Sequence, residues 1–170
     1  MDDRMHAGGT AIPDDPLATL SPLATLGDER LHRFFAYLEA KRGTREFAAR
    51  RDLDPLEFGY ILGNVVLVEV QHEPLRFRYR LIGTNLAAAA GYDLTGSFVD
   101  DHPDVEYRAY VVARYAETTT WRRPTGGNYR FLLGHKLRQY QCLRVPFSDD
   151  GETINMIIAA FILGLPSSAA

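Results

Sequence analysis

Residues 77–96 read F-R-Y-R-L-I-G-T-N-L-A-A-A-A-G-Y-D-L-T-G, and a change of period inside them decides the fold. Up to Ile82 the chain alternates, with Phe77, Tyr79 and Leu81 on one side and Arg78 and Arg80 on the other, the spacing of a half-buried strand. At Gly83 the alternation stops. Thr84 suits a helix cap, the alanines 87–90 have high helix propensity, and Gly91 ends the helix before the turn Asp93-Leu94-Thr95-Gly96. Alanine side chains let a helix lie close on a sheet, or leave space between the two.

Upstream, the β-branched run Val65-Val66-Leu67-Val68-Glu69-Val70 predicts a strand. The short return through Glu73-Pro74 makes it the antiparallel partner of 77–82. Asp54-Pro55-Leu56-Glu57 joins an N-cap residue, a first-turn proline and an acid three residues after the cap, which predicts a short helix to about Leu62. Further back, Leu31, Phe34, Phe35 and Leu38 recur at helical spacing between a capping Asp28 and a stop at Gly43. That apolar stripe must be buried on its own sheet or on a second copy of the chain.

Downstream, Pro103 opens a longer helix carrying Val105, Tyr107, Tyr110, Val111 and Arg114, which gives out at Thr118-Thr119-Thr120. Three strands follow at 128–133, 137–145 and 153–163, joined by hairpins at Gly134-His135 and Ser148-Asp149-Asp150-Gly151. Two strands, two helices and three strands predict an α+β fold, an antiparallel sheet with helices over one face.

The chain has 170 residues, 46% hydrophobic and 24% charged, which fits one globular domain. Residues 1–27 are expected as a mobile tail, 28–165 as the domain and 166–170 as a frayed end. With 19 basic and 22 acidic residues the net charge is −3, so no basic field exists to hold nucleic acid. Cys142 is the only cysteine, which excludes an internal disulfide and suits a reducing compartment. The start of the chain lacks the apolar segment of a signal peptide. The longest apolar run, 156–165, is about half the roughly 20 residues of a membrane-crossing helix. A cytoplasmic location and no membrane partner are expected.

In order and spacing these segments resemble PAS domains, most closely a bacterial single-domain PAS-like family. The resemblance rests on R-Y-R-L-I-G-T (78–84) with D-L-T-G (93–96), on the lead-in D-L-D-P-L-E-F (52–58) and on the hairpin V-P-F-S-D-D-G (145–151). It spans about residues 31–163. It implies a five-stranded antiparallel sheet in order 2-1-5-4-3, a helical flank that encloses a pocket, and a role in sensing or protein contact, with no reaction. The Asn-Cys-Arg motif of flavin adducts is missing and Cys142 lies on a strand, so flavin is not expected. Haem is not expected either: His6 falls in the tail, His32 on a polar helix side, and His72 and His135 in turns.

Tyr107, Tyr110, Val111 and Arg114 share one helical face opposite Tyr79. Hydroxyls and a guanidinium among apolar groups are what orient a carboxylate-bearing ligand, although an ordinary amphipathic helix looks similar. On the fourth strand Arg138, Tyr140, Cys142 and Arg144 alternate with Leu137, Gln139, Gln141, Leu143 and Val145, and either face can be the inner one. The candidate ligand site is Tyr79, Tyr107, Tyr110, Val111, Arg114, Arg138, Tyr140 and Cys142, holding an unidentified small molecule. Asp100-Asp101-His102-Pro103-Asp104 is the densest set of potential metal or acid–base groups. A solvated helix start accounts for it, and no metal is expected.

The expected function is a sensory module that binds a small metabolite and signals in trans, as a homodimer through Leu31, Phe34, Phe35 and Leu38. A small α+β cone-fold isomerase or hydrolase built on Asp101 and His102, or a ligand-free PAS adaptor, are the alternatives.

Overall fold

The computed structural model describes residues 23–133 and 136–164; the expected N-terminal tail up to residue 22, the C-terminal residues 166–170, and His6 and His135 lie outside them. Five strands form one antiparallel sheet: β1 (Val65–Gln71), β2 (Arg76–Ile82), β3 (Thr125–Leu133), β4 (Lys136–Phe147) and β5 (Met156–Leu163). Their order is β2-β1-β5-β4-β3, as expected. The helices are α1 (Glu29–Arg42), α2 (Thr84–Ala90) and α3 (Val105–Trp121). No helix among the described residues is long and apolar enough to cross a membrane.

Both faces of the sheet are covered. On one face Val65, Leu67, Leu143, Val145, Ile158, Ala160 and Ile162 pack against Leu31, Phe34 and Leu38 of α1. On the other, Val66, Val68, Cys142, Ile157 and Ala159 pack with Phe77, Tyr79 and Tyr115 under α3. This alternation along β1, β4 and β5 is the two-residue period of a pleated strand. The stripe assigned to a dimer contact is therefore corrected: Leu31 (0% exposed), Phe34 (0%) and Leu38 (1%) lie in the core of their own protomer, with Phe35 partly buried beside them. The N-terminal extension serves as the second cover of the sheet. Its packing begins before residue 28, because Leu26 is buried in the same cluster.

Local chemistry explains the other departures. Asp54 caps as expected by accepting from the Leu56 amide, but its segment forms 3-10 turns at Pro55–Phe58 and Leu62–Asn64, not one helix. Gly83, not Thr84, precedes α2; a Cβ there would stand 2.3 Å from the Gly63 carbonyl oxygen, so only glycine fits the approach. The register of β2 on β1 slips beside Val68, with Leu67 opposite Leu81 and Val68 opposite Tyr79. This bulge turns Leu81 outwards, so Leu81 leaves the face that Phe77 and Tyr79 share. β3 starts three residues earlier than expected and β5 three later.

Candidate functional site

Between the inner sheet face and the helices α2 and α3 lies a cavity of about 190 Å³. Of the eight residues expected to form a ligand site, seven line it: Tyr79 from β2; Tyr107, Tyr110, Val111 and Arg114 from α3; Arg138 and Tyr140 from β4. Cys142 does not line it. It lies on the same strand face but is wholly buried, and burial pushes its thiol up to about 11, so it is a core filler. Arg144 was placed on that face by the alternation of β4 without being assigned to the site, and it lines the cavity together with Leu86, Phe131 and Phe161. The aromatic residues at 131 and 161 could have been found only by pairing β3 and β5 with β4 in register.

Aromatic rings form the walls. Tyr110 and Phe131 stack with centroids 4.6 Å apart, and Tyr140 meets Tyr129 at 5.3 Å and Phe161 at 5.8 Å. The hydroxyls of Tyr110 and Tyr140 lie 2.8 Å apart across the space between helix and sheet. Burial raises the pKa of Tyr79, Tyr107, Tyr110 and Tyr140, so every one of these phenols is a neutral hydrogen-bonding group at ordinary pH.

The cations of the site differ in how they are balanced. Arg114 has the Glu117 carboxylate 3.5 Å from its Nη1. Arg138 is exposed to solvent at the rim. Arg144 is 2% exposed; its Nη1 donates to the Tyr129 hydroxyl at 3.1 Å and its guanidinium lies 4.9 Å from the centre of that ring. Among the described residues no carboxylate pairs with Arg144, and the cavity lining contains no acid.

The acidic cluster before α3 has structural partners. Asp104 caps α3 by accepting from the Tyr107 amide, and Asp100 and Asp101 both engage Arg76. His102 is buried, and its Nδ1 accepts from the Asp104 amide, so its Nε2 carries the proton donated to the Tyr92 hydroxyl at 3.0 Å. Asp101 and His102 thus face different partners and do not form the acid–base pair considered from the sequence.

The sheet order, with a helix-covered cavity on one face, defines an α+β fold of the PAS type. The profile of a family described as "PAS domain" matches residues 28–102. Over that segment the chain is similar to PAS domains. Among solved structures it is similar to the PAS domain of BvgS from Bordetella pertussis, at 20% identity over 65% of this chain and 85% of that one, with a TM-score of 0.42. It is also similar to a LOV protein of Rhodobacter sphaeroides (13%; 68% and 71%; 0.45) and to the PAS domain of a protein from Colwellia psychrerythraea (10%; 65% and 98%; 0.44). No curated protein matches the sequence.

Proposed function

We propose that this chain is a PAS-domain protein acting as a cytoplasmic sensory module that binds a small molecule between its sheet and α2–α3 and passes occupancy to a partner protein by contact. The observation that carries this reading is the cavity itself. A space of about 190 Å³ lies beside a buried cation, and protein interiors hold few voids larger than a water molecule. Its walls combine apolar rings with a few convergent polar groups, the usual make-up of a small-molecule site. A lone free, buried cysteine suits the reducing cytoplasm.

Output through α1 is supported by its seat on the opposite face of the same sheet. The Gln141 side-chain oxygen accepts from the amides of Gly27 and Asp28, at 2.8 and 3.1 Å, and so holds the start of α1 on the strand that presents Tyr140 to the cavity. A ligand shifts such a module only as far as it binds two conformations with different affinity.

Native mass spectrometry of freshly purified protein tests the reading. A retained small molecule, lost when Val111→Trp fills the space, is the expected result. Protein that carries no adduct, and whose melting temperature responds to no member of a metabolite panel, would leave the ligand-free adaptor as the better description.

A further inference from the structure

We propose that the ligand is a monocyclic aromatic monocarboxylate, with its carboxylate on Arg144 and its ring between the aromatic walls; this rests on the cavity being a small-molecule site. The charge comes from the state of Arg144. A guanidinium cannot lose its proton in a protein and has five N–H donors, whereas Arg144 makes one hydrogen bond, to the Tyr129 hydroxyl. A buried ion without a counter-ion is destabilising, and a ligand of opposite charge relieves it. Arg114 already faces Glu117, and exposed Arg138 is solvated, so the deep part of the site calls for one negative charge, not two.

The hydroxyl pair points the same way. Tyr110 and Tyr140 share a single hydrogen bond, which uses one of their two O–H donors and leaves the other to be given to a ligand oxygen. A carboxylate accepts from such a phenol and from a guanidinium together.

Size and shape fix the remainder of the molecule. An apolar cavity of about 150 Å³ accommodates benzene, so about 190 Å³ takes one ring with a small polar group. Flat rings at Tyr110, Phe131, Tyr140 and Phe161 offer stacking and edge contacts to another flat ring. A short aliphatic dicarboxylate would instead press a second charge against those apolar walls.

Isothermal titration of the full chain with benzoate, benzamide and succinate tests the proposal. Benzoate is expected to bind, with benzamide about ten- to a hundredfold weaker, as the loss of a charged hydrogen bond implies, and succinate weaker still. Arg144→Met should erase the preference for benzoate over benzamide, while Arg123→Gln, a surface change away from the cavity, should leave it intact. Benzamide binding as tightly as benzoate, succinate binding more tightly, or an unchanged preference in Arg144→Met would each overturn the proposal. Should Arg144→Met fail to fold, the wild-type order of the three compounds decides alone. If none of them binds while native mass spectrometry still finds a neutral or polyanionic molecule, the ligand class is wrong and the sensor reading stands; if nothing is bound at all, both fall.

Discussion

Replacing Arg144 by methionine should make the ligand-free protein more stable. Arg144 is 2% exposed, and taking its charge out of water costs several kcal/mol. Against that cost stand one charge-assisted hydrogen bond to the Tyr129 hydroxyl, worth about 1.5–3 kcal/mol, and a cation–π contact at 4.9 Å, worth about 2 kcal/mol when desolvated. Methionine has a similar unbranched stem, carries no charge, and keeps a sulfur–aromatic contact of about 0.3–1.5 kcal/mol with the ring. The net expectation is a gain of about 1–3 kcal/mol. For a chain of this size that corresponds to a melting temperature about 3–10 °C higher. Urea titration and calorimetry on extensively dialysed protein measure it directly. Benzoate at about 100 times the wild-type Kd adds about 2.7 kcal/mol to the wild type and, at ten- to hundredfold weaker affinity, only about 0.4–1.4 kcal/mol to the variant, so it should narrow or close the gap between the two proteins. If the variant is less stable than the wild type by more than about 1 kcal/mol without ligand, Arg144 is adequately compensated in the free protein and the case for an anionic ligand fails.

Three further outcomes follow from the packing. Phe34→Ala should destabilise by about 3–5 kcal/mol in urea melts and leave the mass in light scattering unchanged, since Phe34 fills the core of its own protomer against Phe58. Asp150 accepts from the amides of Glu152 and Thr153 and from the Ser148 hydroxyl, which hold its pKa down to about 2, so its stabilising effect is present above the ordinary carboxylate range and is lost as pH falls through about 2; Asp150→Asn should flatten the acid side of a melting-temperature profile between about pH 4 and pH 2. Gln141→Leu removes the acceptor of the Gly27 and Asp28 amides, and hydrogen exchange at the start of α1 should rise.

Much of the fold was legible because local signals agreed. Asp28, Gly43, Gly91 and the alternation from Phe77 each pointed to an element that forms. The second cover of the sheet had a signal too. Val65–Val68 and Ile157–Ala160 are unbroken buried runs, the pattern of strands dry on both faces, whereas β2 at the edge alternates. Helical periodicity in α1 shows only that a stripe is buried, so Phe34 and Leu38 looked equally suited to a second copy. Helix and strand spacing put the seven cavity residues on shared faces, while the expectation that those faces enclose a pocket came from the resemblance. Spacing does not separate Arg144 from Arg138 on the same strand face; only the enclosing strands and α3 leave Arg144 buried and Arg138 exposed.

The mixed polarity of β4 is the feature that joins the two faces. A strand with one wet side sorts its residues, but β4 places Tyr140 and Arg144 on the cavity face and Gln141 on the α1 face, all at least partly buried. Each of these polar groups has work in its own layer: Arg144 at Tyr129, Tyr140 at Tyr110, Gln141 at the first amides of α1. Adjacent residues of an extended chain cannot move independently, because the planar peptide between them leaves only two soft torsions per residue. On the proposed reading, a carboxylate drawn to Arg144 and Tyr140 acts on the peptide that also carries Gln141. Apolar residues at these positions would pack as well and slide more freely, and they would leave the cavity and the helix behind the sheet without a directional link.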